Sequence, residues 1–108
     1  MKKMMVLMMS ALLLSGAASA KVVKTTFKVG GVCNSCKARI EKAAQSVKGV
    51  KTASWNVESK QLNLAYDNQL TTPLKVETAI AKVGHDAGSV KASTAAYNKL
   101  PGCCKYRK

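Results

Sequence analysis

The sequence contains few of the residues from which catalytic sites and nucleic-acid-binding surfaces are built. Its 108 residues include five acidic side chains, five aromatic residues, two prolines and a single histidine, against 18 lysines and arginines. No Ser/His/Asp set, carboxylate dyad or phosphate-binding loop can be identified, so we expect that the protein is not an enzyme. No basic stretch is interleaved with aromatic residues that stack on bases, so we expect no nucleic-acid partner.

Methionine is missing from most of the chain, because all five methionines lie within the first nine residues. Lys2 and Lys3 precede an apolar run from Met4 to Leu14, which is followed by small residues up to Ala20. This pattern is typical of a secretory signal peptide, residues 1–20, that is cleaved after Ala20. We therefore expect an exported protein, which is periplasmic in a Gram-negative host and otherwise secreted.

Removal of the signal peptide changes the composition of the chain. The apolar run is too short to cross a bilayer, which takes roughly 20 residues, so the mature form is not expected to span a membrane. The mature chain has 88 residues with 16 basic and five acidic side chains, which is a net charge of +11. A chain of this size forms one small domain. Its size excludes two classes of protein, a large enzyme and a membrane transporter. Its soft metal ligands are four cysteines and one histidine.

The spacing of apolar residues divides the mature chain into six elements. Alternation predicts strands and an i, i+4, i+7 pattern predicts helices. The predicted elements are a strand at 23–29, a helix at 36–47, strands at 53–57 and 62–66, a helix at 72–84 and a strand at 87–92. Thr72 and Pro73 are typical of an N-cap and a first helical residue.

This order of elements predicts an α+β fold, a ferredoxin-like βαββαβ sandwich. Its antiparallel four-stranded sheet carries the two helices on one face. The domain is expected to cover residues 21–92, followed by a C-terminal cysteine-containing tail at residues 93–108. Tyr97 and Leu100 favour a short helix in this tail, which Pro101-Gly102 would end.

Two cysteines, Cys33 and Cys36, lie where the first predicted strand is followed by the first helix. At a helix N-terminus, cysteines three residues apart turn both sulfurs toward one point, and the helix dipole favours thiolates. Lys37 and Arg39 act in the same direction. Thiolates bind soft ions: two sulfurs satisfy linear Cu(I) or Hg(II), whereas structural Zn(II) normally takes four ligands. The spacing alone also fits a small disulfide or a redox pair.

The surroundings of the cysteine pair resemble those of a known family. A strand, a Gly-x-x-Cys-x-x-Cys motif and a helix that ends in Gly-Val are similar to the heavy-metal-associated domain, over roughly residues 22 to 92. The residues that carry the resemblance are Gly30, Cys33, Cys36, Ile40, Gly49, Val50, Leu62, Leu64, Ile80 and Gly84. An exported single domain of this kind is similar to the periplasmic mercury-binding protein and to copper chaperones.

The resemblance implies that the thiolates of Cys33 and Cys36 bind one soft metal ion, Cu(I) or Hg(II), with Zn(II) as a further candidate. It also implies transfer of the ion by ligand exchange to a partner with a similar site, such as a metal-transporting protein or another metal-binding domain. Lys37 and Arg39 are the expected steering charges toward an acidic surface on that partner. We expect a monomer, with a metal-bridged dimer as the alternative.

Three features depart from the family pattern. The family usually has methionine where this chain has Gly31, so we expect a looser loop. His85 follows Gly84, and it is either a surface histidine or a further candidate metal ligand beside the loop. Cys103 and Cys104 lie in the tail, outside the family's core.

The tail cysteines are also candidate metal ligands. Their Cα atoms, about 3.8 Å apart, are too close for an unstrained disulfide with each other. We expect one of three roles: a disulfide within the tail or to another chain, completion of a three- or four-cysteine metal site, or transfer of metal to Cys33 and Cys36.

The Cys-x-x-Cys pair is also compatible with two other functions. A thiol–disulfide oxidoreductase also places a Cys-x-x-Cys pair between a strand and a helix, but it needs a cis-proline opposite the cysteines. Pro73 opens a helix and Pro101 lies in the tail, which disfavours this function. A disulfide-stabilised interaction module is the other alternative.

Overall fold

Three strands and three helices follow one another along residues 21–107, which are the residues described in a computed structural model. In chain order the elements are β1 (Val22–Lys28), α1 (Asn34–Gln45), β2 (Val50–Trp55), β3 (Gln61–Asp67), α2 (Pro73–Lys82) and α3 (Thr94–Asn98), with a 3-10 turn at Gly102–Cys104. The first five lie within three residues of their predicted bounds. The predicted signal peptide, residues 1–20, lies outside the described residues.

The three strands form an antiparallel sheet in the order β1-β3-β2. Leu62 of β3 lies opposite Phe27 of β1 on one side and Trp55 of β2 on the other. Because side chains alternate between the two faces of a strand, this row belongs to one apolar face, while Lys24 and Lys28 are exposed. The sheet therefore has one face available for the helices.

Helices α1 and α2 contact each other and share one apolar core with this sheet face. Ile40 and Ala44 of α1 and Val76 and Ile80 of α2 are buried at the predicted helical spacing. The predicted cap of α2 is confirmed, since the Thr72 hydroxyl accepts a hydrogen bond from the backbone N–H of Lys75 at 3.3 Å. Among residues 21–107, no helix combines the length and the apolar character that a membrane crossing requires.

The predicted fourth strand at residues 87–92 is not formed, so the sheet of the described chain has three strands and not four. Ala87 reaches the end of β1 only through an isolated bridge to Val29. The backbone N–H groups of Ala87 and Val90 then bond to each other's carbonyls at 2.8 and 2.9 Å, and this turns the chain back. Gly88 within this turn has a φ of +54°, which suits a turn and not a strand.

The tail packs against the core of the domain. Helix α3 is capped by Ser93, whose hydroxyl accepts from the N–H of Ala96 at 3.1 Å, and the short helix predicted here is confirmed. Tyr97, Leu100 and Cys104 are buried within the same apolar core as the sheet and the first two helices. The 3-10 turn contacts α1, so the tail cysteines approach the helix whose N-cap is Cys33.

Candidate metal centre

The loop between β1 and α1 places Cys33 and Cys36 side by side. Cys33 is the N-cap residue of α1, with extended backbone (φ −150°, ψ 179°), and Cys36 lies in the first helical turn. Their Sγ atoms are 3.7 Å apart. Cys36 is fully buried and Cys33 is partly exposed. The two thiols therefore meet at the N-terminus of a helix, as the sequence predicts, with one of them open to solvent.

Backbone N–H groups at the start of α1 stabilise the thiolate of Cys33. Hydrogen bonding from the N–H of Cys36 is the largest influence, and it lowers the pKa of Cys33 to about 6. Partial burial opposes this effect, while the Cys36 thiol and the N–H of Ser35 add to it. Because the thiolate is the form that binds metals and acts as a nucleophile, Cys33 is ready for either reaction at neutral pH.

The tail brings its cysteine pair to Cys33. The Sγ of Cys104 lies 3.8 Å from that of Cys33 and 3.9 Å from that of Cys103. The sulfurs of Cys33, Cys103 and Cys104 all lie within 4.8 Å of one another. All four cysteines are free thiols. Cys33 therefore contacts both its loop neighbour and the tail pair.

Cys104 has a different environment from Cys33. It is fully buried, and this burial raises the pKa of its thiol to about 12. The Cys36 thiol acts in the same direction, whereas Arg39 opposes it by donating from Nη1 to the Sγ of Cys104 at 3.2 Å. At neutral pH, Cys104 is thus a protonated thiol beside a thiolate, and a soft ion must displace its proton in order to bind.

Trp55 fills the space beneath the cysteine loop at Gly31. A Cβ atom added to Gly31 would lie 2.9 Å from Cη2 of Trp55 and 3.1 Å from Cβ of Cys36. Trp55 is 1% exposed, and its Nε1 donates to the carbonyl of Val29 at 3.1 Å. The indole ring therefore occupies the space at Gly31 and is anchored to the chain just before the loop, while the looser loop expected here stays a prediction.

His85 lies beneath the loop and outside the sulfur cluster. Its side chain is fully buried, and Nδ1 lies 2.7 Å from the carbonyl oxygen of Gly30, which makes Nδ1 the donor. Burial lowers the pKa of His85, with the Gly30 carbonyl opposing, so the ring is neutral. Its Nε2 has no hydrogen-bond partner, and the ring stacks on Tyr106 with centroids 5.4 Å apart. Of the two alternatives for His85, a position on the surface is wrong, while a role as a metal ligand stays a prediction.

A network around Tyr106 and Arg107 holds the end of the tail. The Tyr106 hydroxyl donates to the carbonyl of Gly84 and accepts from the N–H of Asp86, both at 2.7 Å. Arg107 pairs with the Asp86 carboxylate at 2.6 Å and donates to the carbonyl of Ala92 at 2.7 Å. Burial would raise the pKa of Asp86, but hydrogen bonds from Arg107 and Ala92 outweigh it and lower that pKa.

Both cations expected to steer a partner are engaged within the protein. Lys37 forms an ion pair with Glu41 and donates to the carbonyl of Trp55 at 3.1 Å. Arg39 faces the Sγ of Cys104. The positive charges of Lys37 and Arg39 are therefore partly directed toward groups near the cysteine loop, namely the Trp55 carbonyl and the Cys104 sulfur.

Sequence reasoning did not identify the residues that hold the tail in place. No motif or apolar periodicity marks Tyr106 or Arg107, and Asp86 lies between the predicted helix at 72–84 and the predicted strand at 87–92. Composition is the one sequence feature that indicates a packed tail, because the last 16 residues contain two of the five aromatic residues of the chain. An aromatic-rich tail favours packing against a domain over extension into solvent.

The family model of the heavy-metal-associated domain matches residues 26–88 of this chain. A zinc-transporting ATPase from Synechocystis sp. is 34% identical over 67 residues, which are 61% of this chain and 9% of that protein. A copper-exporting P-type ATPase from Staphylococcus aureus is 36% identical over 58 residues, which are 54% of this chain and 7% of that protein. The chain thus spans less than a tenth of the curated relatives it matches.

Solved structures share the fold over most of the described domain. The CopZ metallochaperone has 29% identity and a TM-score of 0.58, with coverage of 60% of this chain and 98% of that one. Oxidised MerP from Ralstonia metallidurans CH34 has 26% identity and a TM-score of 0.61, with coverage of 63% and 96%. Cys103 and Cys104 lie beyond the residues that the family model matches.

Proposed function

Because the chain belongs to the heavy-metal-associated domain family, we propose that it binds a soft metal ion through Cys33 and Cys36 and passes the ion to a partner by ligand exchange. The ion is cargo, so the protein is a carrier and not an enzyme. Cu(I) and Hg(II) are the proposed ions, since two thiolates satisfy their linear coordination. Zn(II), with its preference for four ligands, requires additional donors.

One observation carries this proposal: two free thiols, with Sγ atoms 3.7 Å apart, lie at the N-terminus of α1. Backbone N–H groups at the helix N-terminus stabilise negative charge on the sulfur of Cys33, which is also open to solvent for entry and exit of the ion. Trp55 and the buried face of α1 hold the loop from below. Such a site combines a loop that is held in place from below with a ligand that is exposed to solvent. This combination suits exchange of the ion between proteins.

The partner that we propose is a metal-transporting protein or another metal-binding domain. Two of the matched relatives are metal-transporting ATPases by name, which supports a partner of this kind. The net charge of +11 on the mature chain favours docking on an acidic surface. Ligand exchange then needs only that the partner's thiolates reach Cys33, the more exposed of the two loop cysteines.

Cu(I) titration of the reduced protein under anaerobic conditions, in competition with a chromogenic chelator, tests this function. We expect one ion per chain. Cys33→Ser should weaken the apparent affinity by about a hundredfold or more, which corresponds to about 2.7 kcal/mol. Asn34→Ser is the matched control, because Asn34 is exposed at the start of α1 between the two cysteines and its replacement leaves all four sulfurs in place.

Two results would contradict the carrier function. One is the absence of stoichiometric Cu(I) binding by the reduced wild-type protein. The other is equal affinity of Cys33→Ser and the wild type. Catalysed reduction of insulin by the dithiol form would instead support the alternative function, thiol–disulfide exchange.

A further inference from the structure

The tail provides a second thiol pair that contacts the exposed cysteine of the loop. We propose that Cys33 is shared between two metal sites: the two-thiolate pair Cys33/Cys36, and a three-thiolate site made by Cys33, Cys103 and Cys104. The inference rests on the proposed function and adds a second coordination state for the same soft ion. In this second state the tail covers the ion, which is then held by three sulfurs of one chain.

The sulfur separations fit three-coordination. A metal–sulfur bond of about 2.3 Å gives sulfur–sulfur separations of about 4.6 Å in a linear site and about 4.0 Å in a trigonal site. Cys33 to Cys104 is 3.8 Å and Cys103 to Cys104 is 3.9 Å, and the third separation lies within 4.8 Å. A soft ion at the centre of these three sulfurs therefore needs only small side-chain shifts.

Contacts that involve no cysteine fix the position of the tail. Tyr106 bonds to Gly84 and Asp86 through its hydroxyl, and Arg107 pairs with Asp86. Gly30 lies directly under the Tyr106 ring, since an added Cβ would be 2.6 Å from Cε2 of that ring. The tail is therefore docked beside the loop by its own packing, and the proximity of the sulfurs is a consequence of this docking.

The position of Cys33 also provides a route between the two sites. With the ion on Cys33 and Cys36, the Cys104 thiol loses its proton and its sulfur bonds to the metal. The bond from the metal to Cys36 breaks, and the released Cys36 thiolate takes up the proton. Cys103 then adds as the third ligand and releases its proton to solvent. Cys33 stays bound throughout, and no sulfur or metal changes oxidation state.

X-ray absorption of the full-length mature protein loaded with one Cu(I) counts the sulfur neighbours of the ion. We expect three in the wild type and two in the double variant Cys103→Ser/Cys104→Ser. The double variant should also bind Cu(I) about tenfold more weakly in chelator competition, which is about 1.4 kcal/mol. Asn34→Ser is expected to keep three neighbours.

The variant Cys36→Ser provides a second test of the three-thiolate site. The proposal predicts that this variant keeps one Cu(I) with three sulfur neighbours, whereas a site made only of the loop pair loses its ion. Because Cys36 is fully buried, circular dichroism of the metal-free variant must match the wild type; if it does not, the double tail variant alone decides.

The results separate the two proposals. A wild-type protein that binds Cu(I) with two sulfurs, with no change in Cys103→Ser/Cys104→Ser, overturns the tail site and leaves the carrier function intact. Three neighbours that persist in the double variant also overturn it, because the third sulfur then comes from another source, such as a second copy of the chain. Failure of the wild type to bind Cu(I) overturns the carrier function itself.

Discussion

Cys33 combines three properties that the other cysteines have only in part. It is the N-cap residue of α1, it is partly exposed, and it contacts sulfurs from both the loop and the tail. Cys36 and Cys104 are fully buried, and Cys103 is exposed in the tail. A metal ion that approaches from solvent therefore meets Cys33 first among the residues that form the loop pair.

The different pKa values of Cys33 and Cys104 predict a selective reaction with iodoacetamide. In the metal-free protein, the alkylation rate of Cys33 should rise with pH around a midpoint of about 6 and then level off, because only the thiolate reacts. Cys104, with a pKa raised by burial to about 12, should stay unmodified until the protein unfolds. Peptide mass spectrometry after timed quenching measures both rates.

The matched control for this reaction is the same experiment in urea. Unfolding removes the N–H groups that stabilise the Cys33 thiolate, so its midpoint should move up toward that of an ordinary cysteine, about 8.5. A Cys33 midpoint that is the same in folded and unfolded protein would show that the helix N-terminus has no effect on this thiol.

At the scale of elements, the docked tail depends on the close approach between Tyr106 and the loop. Gly30→Ala should destabilise the protein by about 1–3 kcal/mol, because the new methyl group would overlap the Tyr106 ring. The tail should also open more often, so that Cys104 becomes accessible to iodoacetamide. Urea unfolding and alkylation at Cys104 measure the two effects.

Gly102→Ala is the matched control for this substitution. A Cβ at Gly102 has no atom within 4 Å, and the residue lies in the same tail next to the cysteine pair. We expect unchanged alkylation of Cys104 in this variant. Equal behaviour of the two alanine variants would mean that the contact at Gly30 does not hold the tail.

The elements that sequence analysis predicted are those with a local signal. The apolar alternation of β1 and the i, i+4 spacing of Ile40 and Ala44 depend on near neighbours, and the structure contains both elements. The prediction of a fourth strand is wrong. Its apolar residues suit a strand, but the turn at Gly88 and the backbone hydrogen bonds between Ala87 and Val90 turn the chain back.

The geometry of the tail was not predictable in this way. Cys104 and Cys33 are 71 residues apart, and Arg107 and Asp86 are 21 apart. No periodicity links such pairs, so a sequence shows that thiols are present without showing that they meet. Trp55 is buried, and its place beneath Gly31 likewise depends on three-dimensional packing.

At the scale of the whole molecule, the described domain begins next to the proposed cleavage site. Strand β1 starts at Val22, so cleavage after Ala20 leaves the complete sheet in the mature protein. We predict that protein recovered from the periplasm or culture medium of the producing cell begins at Lys21. Intact mass and N-terminal sequencing measure this directly.

A substitution at the cleavage site provides the control. Ala20→Leu should block processing, because the site requires small residues, and the longer precursor should accumulate at the membrane. Recovery of the unprocessed wild-type chain from the cytoplasm would contradict export.

The tether between the domain and its terminal cysteines has a consequence for any acceptor of the ion. Thiols held on a short segment of the same chain act at a high effective concentration, on the order of millimolar for a short flexible linker. With the proposed tail site, a partner present at much lower concentration would have to compete with Cys103 and Cys104 for an ion on Cys33. If both proposals hold, we expect the partner to dock on the protein before it takes the ion, so that release follows recognition and does not depend on thiol abundance alone.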